Sequence, residues 1–282
     1  MHQVHLFCFL ASYAAAFFLE LGRYWKPLPP LRWLSLIATV AGLIAHTWYL
    51  ISRSIQSQLP PLVASNHDWL LVAAWLLVAG YLGFVVWNLQ RRGADAMGLF
   101  VLPLALLMVG ASSLVSNDPD VLFGSQRVLK MLHASSLVIG ITGVLAGFLI
   151  SVMYLLQHRR LKKKQNLRGG FTLPALASLA RYNLWSVSIS MPMLTLGLLT
   201  GFLLIGGSEK ALRPVSWQDP IVIGFTIVWL GMVLSFGGLF KKRSMQGRQI
   251  ALMNAWAFGF LIVTLLGLQI LVNLTGLPSQ HG

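Results

Sequence analysis

The chain has 282 residues, of which 56% are hydrophobic and only 10% charged, with a mean hydropathy of +0.73. Soluble domains carry about a quarter charged residues, so a soluble fold is excluded and an integral membrane protein is expected. The formal charge of +14 does not argue for a nucleic-acid partner, because the basic residues cluster between apolar runs, as membrane orientation requires.

A helix needs ~20 apolar residues to cross the hydrocarbon, and eight stretches qualify: 3–22, 32–52, 69–89, 96–115, 132–156, 184–206, 219–240 and 251–275. They are long and continuous rather than short and alternating, which excludes a β-barrel. The fold expected is all-α, a polytopic helix bundle. No hydrophilic stretch is long enough for a separate soluble domain and no internal repeat stands out, so residues 1–282 read as one membrane domain.

The first run opens with MHQVHL, without the basic n-region of a cleavable signal peptide. It holds the single cysteine, Cys8, which excludes an internal disulfide and a zinc site of the Cys/His type. Cys8 is expected as a small buried hydrophobe, and Glu20 as a snorkelling or interfacial carboxylate. The second run contains His46 in AGLIAHTWYL. Polar groups at such depth are costly and face the bundle interior, which makes His46 a candidate heme ligand within the membrane or a gating polar contact. The third run follows His67 and Asp68.

His133 opens the fifth run in FGSQRVLKMLHASSLVIG, after Arg127 and Lys130. Two readings stay open here. One is an interfacial histidine bonded to backbone. The other is half of a heme site, since imidazole ligates iron and cations neutralise propionates. QHRRLKKKQNLRGGFTLPALASLARYN follows. Its basic half reads as a strip against anionic lipid, with a cytosolic partner as the alternative. LPALASLARYN is expected to form a short amphipathic helix on the inner surface.

The loop before the seventh run, SEKALRPVSWQDP, contains Lys210, Arg213, Trp217, Gln218 and Asp219. Trp217 is either an interfacial anchor or an aromatic platform for a porphyrin face. In the second reading Asp219 orients a neighbour, and Arg213 and Lys210 meet propionates. After the eighth run comes LTGLPSQHG, where Pro278 stops the helix. His281 is then a mobile terminal residue or, paired with His133, a second axial ligand.

Charge alternates from loop to loop. Basic residues crowd the first, third, fifth and seventh connections, most densely at Arg159, Arg160, Lys162, Lys163 and Lys164 and at Lys241, Lys242 and Arg243. The positive-inside rule puts these loops inside and both termini outside. On that topology His2, His5, His46, His67, His133 and His281 fall toward the outer side and only His158 toward the inner one. A one-sided set of imidazoles in so apolar a chain points to a metal or heme centre near one membrane face.

Four ordered stretches carry a resemblance: LHASSLVIGITGVLAGFLISVMYLLQHRRLK; LWSVSISMPMLTLGLLTGFLL with Leu194, Thr195, Gly197, Thr200 and Gly201; SWQDP with Trp217, Asp219 and Pro220; and MQGRQIALMNAWAFGFLIVTLLGLQIL with Gly247, Arg248 and Gly259. Together they span residues 125–282, which resemble the cytochrome c assembly protein family in its CcsA/HemX-like branch. The resemblance implies a multi-pass protein of a bacterial plasma (inner) membrane that handles heme for c-type cytochromes. His133 and His281 match the family's two outward heme-iron ligands, and Trp217 matches part of its heme-contacting loop. The heme would be b-type and transiently held. The partners would be heme, apocytochrome c, a companion cytochrome assembly subunit and membrane lipids.

The chain departs from the family pattern in three places. Trp217 stands nearly alone in its loop, Phe240 replaces a histidine, and Ile221 and Val222 follow the WDP-like motif. These departures bring it nearer the HemX-like group, and no independent catalytic activity is expected. A membrane regulator or scaffold of heme biosynthesis is the first alternative. A small-molecule transporter with broken helices, such as SISMPMLTLGLLTG, is the second.

Overall fold

The computed structural model describes residues 6–25, 28–57, 60, 65–87, 96–115, 126–163, 173–207, 220–241 and 247–275. Regular structure among them is entirely helical: α1 (Leu6–Trp25), α2 (Pro29–Ser57), α3 (Asn66–Trp87), α4 (Gly98–Ser112), α5 (Arg127–Lys162), α6 (Leu176–Gly207), α7 (Pro220–Lys241) and α8 (Gly247–Thr275). A chain this apolar satisfies its backbone polar groups within each segment, and in lipid the helix is the open-ended way to do so. Each helix falls on one expected span. α1, α2, α3, α5 and α6 are long and apolar enough to cross a membrane by length and composition, while Gly98–Ser112 and Val222–Leu234 are shorter apolar helices.

The described residues divide into two compact units, one within Met1–Phe123 and Leu156–Leu176, the other within Gly124–Leu155 and Ala177–Gly282. In the first unit α1 packs on α2, α2 on α3, α3 on α4, and α4 returns to α1. Gly42 lets α2 approach α1, since a Cβ there would lie 2.7 Å from the Tyr13 ring. The Trp75 indole donates to Thr47 Oγ1 between α3 and α2 at 2.8 Å. Ser65 caps α3: its Oγ accepts from Asp68 N at 3.1 Å and donates to Asp68 Oδ2 at 3.0 Å. Glu20 is 3% exposed and takes two hydrogen bonds from Arg23, at 2.9 and 2.7 Å. It is therefore a buried, paired carboxylate rather than a snorkelling one. Cys8, expected inside, is exposed; α1 presents it on the side away from Phe9 and Tyr13, which are fully buried.

The second unit is built on an antiparallel seam between α5 and α6. A Cβ on Gly140 would lie 2.7 Å from Leu194, one on Gly143 would lie 2.9 Å from Ser190, and Gly147 faces Ser186. Toward the other end the small residue changes helix, so that Gly197 faces Leu137 and Gly201 faces His133. The steps along both helices follow the 3.6-residue turn. Small residues let the two backbones close, which is how helices associate where lipid offers no hydrophobic drive. Polar contacts run along the same line: Ser186 Oγ donates to Gly143 O at 2.8 Å and Ser151 Oγ to Asn183 Oδ1 at 3.0 Å. α7 joins α6 through the Trp229 indole, which donates to Thr195 Oγ1 at 2.9 Å. α8 packs on α7 and reaches α5 and α6 through Phe258 stacked on Phe148 at 3.9 Å and Asn254 Nδ2 donating to Asn183 Oδ1 at 2.8 Å. Both units thus use an indole bonded to a threonine on the preceding long helix.

The seam also corrects one expectation. LPALASLARYN does not form a separate surface helix, because α6 starts at Leu176 and runs unbroken to Gly207. Asn183 sits on the seam, bonded to Ser151, so the amphipathic turns continue the span.

Candidate functional site

His133 lies near the start of α5, opposite the basic Arg159–Lys162 end of that helix. Residues 133 and 159 are separated by ~39 Å at 1.5 Å per residue, more than the ~30 Å hydrocarbon. The helix is therefore long enough to set the two at opposite membrane interfaces. His133 is half-buried.

The LTLGLLTG stretch of α6 forms the holder. His133 Nδ1 is 2.8 Å from the carbonyl oxygen of Gly197. A carbonyl only accepts, so Nδ1 carries the proton, and when the ring is neutral its lone pair lies on Nε2. Metal-ligating histidines are oriented in this way, with the second nitrogen donating to a carbonyl or carboxylate. Thr200 Oγ1 donates within its own helix, with the Leu196 and Gly197 carbonyls at 2.7 and 2.9 Å, and lies 3.4 Å from His133 Nδ1. Gly201 sits against the ring, where a Cβ would be 3.0 Å from Cε1.

Two cations share this helix end. Lys130 is one turn before His133, half-buried, and Arg127 begins α5 and is exposed. Six residues separate Arg127 from His133, ~9 Å along the axis and about a third of a turn around it. Lys130 is therefore nearer the imidazole face of the helix.

His46 belongs to the first unit and is fully buried. Phe9 stacks on its ring at 4.2 Å with 4° between the planes, and Tyr13 Oη is 3.2 Å from Nδ1. Nε2 is buried without a hydrogen-bond partner. If Tyr13 donates to Nδ1, the ring proton is the atom left over. If Nδ1 donates to Tyr13, the Nε2 lone pair is. Either way Nε2 goes unsatisfied among the described residues, which costs about 1–3 kcal/mol. His67 is committed to structure: its Nδ1 donates to Ser112 O at 2.7 Å, which leaves Nε2 to accept from Tyr49 Oη at 3.4 Å.

His281, Trp217, Asp219 and Arg213 lie outside the described residues. Among the described residues no group of three His, Cys, Asp or Glu side chains gathers to hold a bare metal ion. Reading along the chain did not find the holder of His133 or the Phe9–Tyr13 setting of His46. A signal was present in the holder's case, because the glycines of the two neighbouring runs are spaced for an antiparallel seam.

Residues 69–275 match the family described as Cytochrome C assembly protein, a span that begins well before the motifs at 125–282. The chain is similar to a cytochrome c biogenesis protein CcsA of Guillardia theta, 23% identical over an alignment of 271 residues that covers 89% of this chain and 87% of that one. It is also similar to a CcsA of Gloeobacter violaceus, 28% identical over 166 residues, 55% of this chain and 47% of that protein. No solved structure matches the chain.

Proposed function

Because this chain belongs to the cytochrome c assembly protein family, we propose that it handles heme for c-type cytochrome biogenesis, holding or presenting it at the outer membrane face with His133 as an axial ligand. A role in c-type cytochrome assembly and a multi-pass helical membrane setting go with the family. The finer reading is supported above all by one observation, the half-buried imidazole whose Nδ1 is tied to the Gly197 carbonyl at 2.8 Å.

The residues present fit the group. An imidazole with its lone pair on Nε2 is a neutral iron ligand, and Lys130 and Arg127 on the same helix end suit propionates. When bound, heme would supply the iron and the vinyl groups to which apocytochrome thiols attach. His281 is proposed as the second ligand, Trp217 and Asp219 as contacts of the ring system, Arg213 as a further propionate partner, and His46, within the first unit, as a separate heme ligand or a gating polar contact. With Cys8 its only cysteine, the chain has no dithiol of its own. Thiols come from the apocytochrome c, and reduction comes from a companion subunit. The chain then sits in a bacterial plasma (inner) membrane with both termini outside, its inner basic stretch against anionic lipid.

The test is the absorption spectrum of the purified full-length protein after hemin loading and removal of excess. A Soret band present in the native protein and lost in His133→Ala is expected. A band that is equal in both, or absent from both, overturns the assignment.

A further inference from the structure

We propose that Thr200 and Gly201 are positioning residues that, with the Gly197 carbonyl, hold the His133 imidazole as the Nδ1–H tautomer and so place its lone pair on Nε2. The importance of this for heme rests on the reading above, but the positioning itself is a property of the protein without heme.

Three contacts carry the inference. The Gly197 carbonyl lies 2.8 Å from Nδ1 and cannot donate. The Thr200 hydroxyl lies 3.4 Å from the same nitrogen, yet its one proton has the Leu196 carbonyl at 2.7 Å and the Gly197 carbonyl at 2.9 Å. Its oxygen therefore faces Nδ1 as a second acceptor, and both neighbours favour a proton there. Gly201 sets the ring's position. A Cβ would meet Cε1 at 3.0 Å and Nδ1 at 3.3 Å, so even a methyl group makes the ring shift by a few tenths of an ångström from its seat against the Gly197 carbonyl. Gly206, on the same helix, has nothing within 4 Å of a Cβ among the described residues, which makes it the matched control. A ligating imidazole whose second nitrogen is bonded outward is more basic and better aimed, and losing that bond typically costs about 10–100-fold in affinity.

The experiment uses the full-length protein in phospholipid nanodiscs. Nitrogen NMR of labelled histidine, without heme, identifies the His133 signals by their loss in His133→Gln. The native ring is expected as Nδ1–H. Gly201→Ala and the isosteric Thr200→Val should admit the Nε2–H form, while Thr200→Ser and Gly206→Ala should match the native protein. In hemin titrations Gly201→Ala and Thr200→Val should bind about 10–100-fold more weakly, with Thr200→Ser restored. A native ring in the Nε2–H form, or a tautomer unmoved in both Gly201→Ala and Thr200→Val, overturns the proposal. If the tautomers behave as expected but hemin binds equally well to His133→Gln, the positioning stands and the heme reading falls.

Discussion

Arg53 grips Asp68 through two parallel hydrogen bonds, Nε to Oδ1 at 3.1 Å and Nη2 to Oδ2 at 3.0 Å, joining α2 to the first turn of α3. The Asp68 side chain is fully buried and that of Arg53 is 23% exposed, so the two ends of the pair are not equivalent. Arg53→Ala strands a covered carboxylate and should destabilise the protein by about 3 kcal/mol. Asp68→Asn should cost less, because the guanidinium reaches water and Ser65 still caps α3. Thermal unfolding in detergent compares the two, and equal small shifts would show that the pair does not lock the helices.

The α5–α6 seam predicts which glycines are irreplaceable. Gly140→Leu drives side-chain atoms into Leu194, whose backbone nitrogen would be 3.0 Å from the new Cβ. Overpacking of this kind costs about 1–3 kcal/mol. Gly80→Leu, on α3 with nothing within 4 Å among the described residues, should be close to neutral. Equilibrium unfolding in bilayers gives the comparison, and similar losses at both positions would argue against the close approach.

Histidines that look alike in sequence should separate by phenotype. His67→Phe leaves the Ser112 carbonyl without its imidazole donor and Tyr49 without its acceptor, and should cost about 1–3 kcal/mol of stability. Hemin bound per folded protein should stay at the native level, whereas His133→Ala should lose it. A fall in hemin binding with His67→Phe at full folding would place His67 in the ligand set.

Single cysteines introduced into a Cys8→Ala background should map the topology. Positions 61 and 119 should react with a membrane-impermeant maleimide from the outside, and positions 93 and 166 only after permeabilisation, following the basic loops. Labelling at 166 in intact cells would invert the topology and put His133 on the inner side.

The helical architecture was legible because lipid allows so few alternatives: an apolar run of ~20 residues has to satisfy its backbone alone, and the expected runs fall on the eight helices of the described residues. Ends were less legible. Asn183 lies beyond the apolar limit of its run, yet α6 includes it because Ser151 and Asn254 supply its hydrogen bonds from α5 and α8. The burial of Glu20 and the exposure of Cys8 were not legible for a related reason. Composition says what a side chain prefers, whereas burial depends on the angular position of the helix. Arg23 lies close enough to pair with Glu20 inside, while Cys8 lies on the outward side of α1.

The candidate site divides in the same way. The linear order of residues was enough to establish the membrane class, the succession of spans, the loop charges and the motif set around His133, since hydropathy and charge act locally. Only the folded chain decided that His133 meets Gly197 and Thr200, that His67 is spent on Ser112, and that His46 is sealed beneath Phe9. Those outcomes depend on the register between helices, which is set when small residues on one find large ones on another across tens of residues of chain.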